Sequence, residues 1–533
     1  MRRWFFLTAA AFALGAGAAH ADFTLHVLHV NDFHSRIESI NKSDATCDAE
    51  TEAKGDCFGG VARLATKINE MRDKLKSEGQ NVIVLDAGDQ YQGSLFYTTY
   101  KGKDTVEFMN AIGFDAMAVG NHEFDDGPAG LQLLAEGVKF PVISGNLDLS
   151  QSPELKGKVG GTVTLDVGGE KIGIVSALAM DTPETSSPGP KVIFHDDLQS
   201  LAADVEELTD AGVSKIIALT HEGYRRDQEI AGKIAGVDAV VGGHSHTLLG
   251  DMEGAEGPYP AMVKAADGAE VPVTTAYAYG KYLGHLVLTW DDQGKLISAE
   301  GEPILLDASV KPDEAIAARV KEMAAPIEEL KTKLVAETKA PIDGGRETCR
   351  QRECEMGVVV ANAMLERVKD QGITIAVQNG GGLRASIDAG PVTMGEVISV
   401  LPFQNTLSTF WLKGEDVVAA LENGASQYEE GAGRFAQVAG LKYTVDPSAE
   451  AGKRISDVQV RDGAGWKPID LSAEYGVVSN NYMRGGGDGY KVFATNGTKA
   501  YDFGPDLADV LAEYLAAQGA GFAPILDGRI TVK

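Results

Sequence analysis

From Phe23 to about Leu306 short apolar runs alternate with amphipathic stretches, as where Asn81-Val82-Ile83-Val84-Leu85 follows the helical pattern of Val61 to Leu75. Strand-length apolar runs separated by helical patterns predict layered α/β structure. After Pro312 the apolar positions Ile316, Val320, Met323, Ile327, Leu330 and Leu334 recur at intervals of three and four. That stripe predicts a helix packing on one face, which Pro326 should kink. The helix reads as a connector, 311–340, between a first domain, 22–310, and a second α/β domain, 341–533. Neither internal repeats nor low-complexity tracts break the pattern.

A chain of 533 residues is too long for one compact core, in keeping with two domains. Residues 1–21 read as a signal peptide: Arg2 and Arg3 supply the positive start, Trp4 to Ala18 the apolar run, and Ala19-His20-Ala21 the cleavage pattern. The mature chain should begin near Asp22 and be periplasmic or secreted. That apolar run is shorter than the ~20 residues a membrane span needs, and the segment Ile525 to Lys533 lacks the hydrophobic tail of a lipid-anchor signal. Four cysteines fall in two close pairs, Cys47 with Cys57 and Cys349 with Cys354. In an oxidising compartment two local disulfides are the economical reading. A cysteine zinc site is the rival, but neither pair has CxxC spacing and none lies in a histidine cluster.

The net charge of -29 argues against nucleic-acid polymers and anionic membranes as partners. A phosphate-bearing substrate would meet the same repulsion, so its site must carry strong local positive charge, from metal ions and placed arginines.

Five motifs in the first domain share one pattern, an apolar strand followed at once by metal-binding residue types. Leu25 to Val30 runs into Asp32-x-His34; Val82 to Leu85 runs into Gly88-Asp89-x-x-x-Gly93; Ala116 to Val119 leads to Gly120-Asn121-His122-Glu123-Phe124-Asp125; Lys215 to Thr220 ends at His221-Glu222; and Ala239 to Val241 ends at Gly243-His244-x-His246. Strand C-terminal ends gather along one edge of a parallel sheet, so these residues should converge. In Asp32-x-His34 and His244-x-His246, alternate residues of an extended chain would point to the same side. Two divalent ions ~3.5 to 4 Å apart need a shared carboxylate with nitrogen and oxygen ligands around each. Asp32, His34, Asp89, Asn121, His221, His244 and His246 supply that mixture. Any one of these histidines would more often be structural, but half of the ten histidines lie in these motifs.

In this order, the motifs DxH, GDxxxG, GNHE, H and GHxH resemble those of the calcineurin-type metallophosphatases, and across nearly all of the mature chain the 5'-nucleotidase family. Gly59 to Leu64, Leu85 to Gly93 and Ala276 to Gly284 are especially similar to its animal ecto-enzymes. The resemblance implies a metallophosphatase sandwich of two β-sheets flanked by helices and a C-terminal α/β nucleotide-recognition domain. It implies that Asp32, His34, Asp89 and His246 hold one metal, and Asp89, Asn121, His221 and His244 the other. Zinc is the expected ion, with manganese or cobalt as alternatives. At position 246 the ecto-enzymes carry asparagine and some periplasmic members glutamine, which leaves the metal at that site open. His122 and Asp125 are implied to be the catalytic dyad, with water activated by the metals as nucleophile.

For the second domain the resemblance implies that Arg350, Asn379 and Arg384 bind phosphate and sugar, that Phe403 and Tyr482 sandwich the base, and that Asp488 accepts from the ribose hydroxyls. The ecto-enzymes have phenylalanine in place of Tyr482, and tyrosine keeps a stacking face. Read alone, Gly380 to Gly382 would be a glycine turn and these aromatics core residues. The expected reaction is hydrolysis of nucleoside 5'-phosphates. A broader hydrolase of UDP-sugars, dinucleotides or cyclic nucleotides is the second reading, and a non-catalytic nucleotide-binding scaffold or a sulfur-compound hydrolase stands behind it. Oligomeric state is not legible in the sequence.

Overall fold

A computed structural model describes residues 22–533 apart from 43, 45, 404, 464, 502 and 503. The expected signal peptide lies outside the described residues. The first sheet runs Leu296–Leu305, Tyr282–Trp290, Phe23–Val30, Asn81–Asp86, Ala116–Ala118, Val142–Ile143. Its last four strands are parallel, while Tyr282–Trp290 runs antiparallel to Phe23–Val30. A second sheet runs Ala261–Lys264, Glu270–Thr274, Ala239–Gly242, Lys215–His221, Glu170–Leu178, Thr162–Val167, with its four central strands parallel.

The side-chain period of two explains how these sheets stack. Leu25, Val27, Ile83 and Leu85 of the first sheet meet Ile172, Ile174, Ile217 and Leu219 of the second in one core. On its outer face the first sheet turns Leu28, Val30 and Val84 toward the helix Val61–Ser77 through Leu64 and Ile68. The second turns Val175, Ile216 and Ala218 toward the helix Asp197–Asp210 through Leu201 and Val205. Two sheets between helix layers therefore form the first domain. The expectation that all five motifs lie on one sheet edge needs correction. The strands before Asp32, Asp89 and Asn121 belong to the first sheet and those ending at His221 and Gly242 to the second, so the site straddles the edges of both.

The connector helix spans Glu314–Thr332, capped by Asp313 and continuing past Pro326, and Met323 and Ile327 are buried against the first domain. Leu334 departs from its predicted place on the stripe. Lys333 is extended, so Leu334 starts the strand Leu334–Thr338, paired antiparallel with Gly390–Thr393 and largely exposed. Beyond it a five-stranded sheet runs Ala436–Ala439, Ile373–Asn379, Glu474–Asn480, Leu407–Lys413, Thr498–Tyr501. The helices Glu355–Arg367 and Leu507–Gln518 cover one face and Gly414–Ala425 the other. Disulfides join Cys47 to Cys57 and Cys349 to Cys354, as the spacing predicts.

Candidate metal and nucleotide site

Past the paired strands Phe23–Val30 and Asn81–Asp86 the two chains stay joined: Asp32 N–H donates to Gly88 O at 2.9 Å, His34 N–H to Asp89 O at 3.0 Å and Ser35 N–H to Gln90 O at 2.9 Å. The expected extended backbone at the ligand pairs is not what the structure holds. Asp32, His34, Asp89, His244 and His246 all have positive φ, from +50° to +75°. The left-handed conformation costs a non-glycine residue about 1 to 2 kcal/mol, and such strain gathers at functional sites.

Glu123, which the sequence reading left without a role, holds the Asp89 loop. Its fully buried carboxylate accepts from the N–H groups of Asp89 at 3.0 Å, Gln90 at 2.8 Å, Tyr91 at 3.2 Å and Gly120 at 2.7 Å. Burial, with Asp89 nearby, pushes its pKa up to about 7. A Cβ on Gly120 would fall on Asp89 N, so only glycine fits there.

Each acidic ligand candidate gives one oxygen to the protein and turns the other inward. Asp32 Oδ2 accepts from Asn31 and from His244 N–H, whereas its buried Oδ1 has no hydrogen-bond partner. Asp89 Oδ1 accepts from His122 N–H at 2.8 Å, and its Oδ2 lies 3.1 Å from His221 Nε2 and 3.8 Å from His34 Nε2. Because a carbonyl can only accept, His221 must donate from Nδ1 to Ala87 O at 2.6 Å. His34 likewise donates Nδ1 to Tyr91 O at 3.3 Å, leaving its Nε2 to face His246 Nε2 at 3.0 Å. His244 Nδ1 lies 2.9 Å from Asn121 Oδ1.

Lone pairs facing one another at such distances repel unless a proton or cation lies between them. Burial opposes protonation of His221, yet the Asp89 carboxylate raises its pKa to about 10, and burial lowers that of His244 to about 3. The donors of Asp32, His34 and His246 lie within 4.8 Å of one another, as do those of Asp89, His221 and His244. Nitrogen and carboxylate donors in two adjacent, largely buried groups, with Asp32 Oδ1 and His221 Nε2 lacking any hydrogen-bond partner, fit divalent cations.

Beside them His122 Nδ1 donates to Asp125 Oδ2 at 2.7 Å. Burial works against protonation of His122, but Asp125 and Asp89 prevail and hold its pKa above the usual histidine value. The cleft between the domains encloses a cavity of about 860 Å³. Arg350 and Arg384 reach it, with Arg384 Nη2 3.3 Å from His34 Nε2. Arg346 joins them, a residue the sequence reading passed over. Burial and the neighbouring arginines hold Arg346 and Arg350 below the ordinary guanidinium pKa. Guanidiniums crowded together in an acidic protein favour a bound anion.

On the second domain's side Asn379 Nδ2 donates to Asp488 Oδ2 at 2.6 Å, and Tyr482 Oη lies 3.2 Å from Asp488 Oδ1. Buried amides of Gln378 and Asn480 donate to Asn379 Oδ1, each at 3.0 Å, and fix its orientation. The Tyr482 ring lies where a Cβ on Gly487 would be. Phe403 stacks on His122, ring centres 5.9 Å apart, with the Arg384 guanidinium 5.7 Å from the Phe403 ring centre. The sequence-predicted residues of both domains thus meet at one cleft.

Comparisons with known proteins identify both halves of the chain. Residues 25–248 match the calcineurin-like phosphoesterase family, and residues 334–495 match the 5'-nucleotidase C-terminal domain. The chain is 37% identical to 5'-nucleotidase of Homo sapiens, covering 97% of this chain and 93% of that one. It is 36% identical to the snake venom 5'-nucleotidase of Naja atra, over 95% and 98% of the two. Among solved structures, the 5'-nucleotidase precursor from Thermus thermophilus superposes with a TM-score of 0.90 at 40% identity, covering 96% of this chain and 99% of that one. The NAD nucleotidase of Haemophilus influenzae superposes with a TM-score of 0.58 at 27% identity, over 96% and 100%. Near full-length identity of this order, with a matching domain in each half, shows that the chain belongs to the 5'-nucleotidase family, a calcineurin-like phosphoesterase domain followed by a 5'-nucleotidase C-terminal domain.

Proposed function

We propose that this phosphoric monoester hydrolase is an exported, two-cation 5'-nucleotidase that converts nucleoside 5'-phosphates to nucleoside and phosphate. The observation that carries the reading is His34 Nε2, which accepts from Arg384 Nη2 at 3.3 Å and lies 3.8 Å from Asp89 Oδ2. It sets metal donors, anion binders and the His122–Asp125 pair against one cleft.

In this reading Asp32, His34, Asp89 and His246 hold one cation, and Asp89, Asn121, His221 and His244 the other, with Asp89 between them. Zinc suits the nitrogen-rich set, and manganese or cobalt are the alternatives. When bound, such cations lower the pKa of water and offset phosphoryl charge. The chain's own groups do the rest. Arg350 and Arg384, with Arg346, orient the phosphate. His122, oriented by Asp125 and with its pKa raised by that carboxylate and Asp89 against the effect of burial, donates to a phosphoryl or leaving-group oxygen as charge develops there. Asn379 and Asp488 take the ribose, and Phe403 and Tyr482 the base. We take the domains as 22–310 and 341–533, joined by a hinge over 311–340. Export rests on the signal-like residues 1–21 and accords with two disulfides and with the lack of any membrane-crossing helix among the described residues.

The volume of the cleft supports a second reading. About 860 Å³ is near the upper end for small-ligand sites, which leaves room for a substituent beyond a monophosphate, as in UDP-sugars or dinucleotides. Phosphate release from AMP, UMP, ADP, UDP-glucose and NAD, with each metal supplied alone to stripped protein, tests both readings. Turnover of AMP and UMP well above the rest supports the first. Comparable rates on UDP-glucose or NAD favour the second, and no turnover with any metal would defeat both.

A further inference from the structure

The strand Glu170–Leu178 ends beside the second sheet's metal-donor histidine. Leu178 is in register with His221, and Ala179 N–H donates to His221 O at 3.0 Å. Buried Asn146 grips both backbone groups of Leu178, at 2.9 and 2.8 Å, so the strand end is held firmly. The chain then turns tightly. Thr182 donates to Ala179 O from both N–H and Oγ1, the short helix Thr182–Thr185 follows, and Ser186 N–H donates back to Thr182 O at 2.9 Å. This turn crosses to the first sheet's loops and delivers Ser186 Oγ to Asp125 Oδ1 at 2.7 Å. The other oxygen of that carboxylate takes His122 Nδ1 at 2.7 Å and Gln92 Nε2 at 3.2 Å. The same turn faces the second domain: Thr182–Thr185 packs against Gly487–Gly489, and Asp181 Oδ2 lies 4.0 Å from Arg434 Nη2.

We infer that Ser186 is a positioning residue for the reaction, holding the Asp125 carboxylate in the rotamer that presents Oδ2 to His122. It rests on the reading of His122 and Asp125 as the dyad. A carboxylate on a single Cβ can rotate about its last bond, and three donors on two oxygens remove that freedom. Of these three donors, Ser186 is the one carried by the turn that leaves the second sheet's strand Glu170–Leu178. It ties the dyad to the His221 strand end and, through the turn's contact with Gly487–Gly489, to the domain that carries Asp488. Docking of the second domain against this turn therefore helps to set the dyad's geometry.

The test is steady-state kinetics on AMP with the metal-loaded full chain, beside melting temperature and metal content. Ser186→Ala should lower kcat about 10-fold, the scale of one lost hydrogen bond to a charged group, with KM, melting temperature and metal content essentially unchanged. Ser186→Thr, which keeps the hydroxyl, should recover most of the loss. In an Asp125→Ala background Ser186→Ala should add nothing, because the two act through one contact. A Ser186→Ala variant with full kcat beside an impaired His122→Ala would remove the inference alone. Losses that add to Asp125→Ala, or that track melting temperature and are not rescued by threonine, would also overturn it. An unaltered kcat in His122→Ala would remove the dyad reading, and this inference with it.

Discussion

His221 Nε2 lies 3.1 Å from Asp89 Oδ2 while its Nδ1 is already committed to Ala87 O at 2.6 Å, so once a cation displaces the Nε2 proton the pair presents two lone pairs to one point. Asp89 Oδ2 also faces His34 Nε2 at 3.8 Å, which places this one oxygen between both donor groups. Asp89→Ala should therefore lose both cations and all measurable turnover. His122→Ala should keep both and lower mainly kcat, as expected for a group acting in the transition state. Elemental analysis of the two variants checks this, and equal metal loss in both would contradict the assignment.

The aromatics of the cleft separate base recognition from phosphate chemistry. Replacing Phe403 or Tyr482 by alanine should reduce kcat/KM for AMP by roughly 5- to 150-fold, from a stacking contribution of about 1 to 3 kcal/mol. A compact synthetic phosphomonoester should be hydrolysed at nearly the normal rate. Parallel assays on the two substrates check this, and an equal fall on both would reassign these rings to packing.

Arg350 sits inside the loop closed by Cys349 and Cys354, whose backbone is held again by Gln437 Nε2, donating to Cys349 O at 2.8 Å and to Arg352 O at 2.7 Å. Replacing both cysteines by serine loosens a loop that carries an anion binder. KM for AMP should rise by about 10-fold, the order of one charge-assisted contact, with metal content unchanged. Kinetics and elemental analysis on one preparation decide it. An unchanged KM would mean that Gln437 holds the loop by itself.

Asp238, just before the strand Ala239–Gly242 whose other end leads to His244, offers a pH test away from the donor groups. It accepts from Ile216 N–H at 2.9 Å, and burial raises its pKa from 3.8 to about 6. The folded protein therefore holds this proton more tightly than the unfolded chain does. Folding is penalised increasingly as pH rises from 3.8 to 6, and the penalty is constant above that window. Asp238→Asn keeps an acceptor and removes the charge, so it should stabilise the protein at pH 8 by about 1 to 2 kcal/mol, discounted for residual solvent contact. The gain should vanish by pH 4. Melting curves at the two pH values check the sign, and a variant less stable at pH 8 than the parent would refute it.

The chemistry of this protein was largely written in local order. Strand-end motifs picked out the carboxylate and histidine side chains that the structure gathers in two donor groups, because a mostly apolar run of three to six residues followed by Asp, Asn or His is a short-range pattern. Disulfide pairing followed from spacing and compartment, and the side chains proposed to bind the nucleotide came from family resemblance. What needed the tertiary structure was whatever depends on two distant segments meeting. Sequence periodicity cannot say that the strand ending at His221 belongs to a different sheet from that ending at Asp86, since both show the same apolar run. The backbone at Asp32, His34 and His246 is left-handed, not extended as the spacing suggested, and at Asp32 and His34 it is joined to the Gly88–Asp89 loop by N–H donation. Glu123 looked like one more residue of a motif until four N–H groups were seen to point at it. Leu334 kept the helical interval but left the helix, because pairing with Gly390–Thr393 satisfies its backbone. Ser186, in a stretch of polar residues and prolines, carries no local signal at all. Its role exists only because the fold sets its hydroxyl 2.7 Å from a carboxylate 61 residues away.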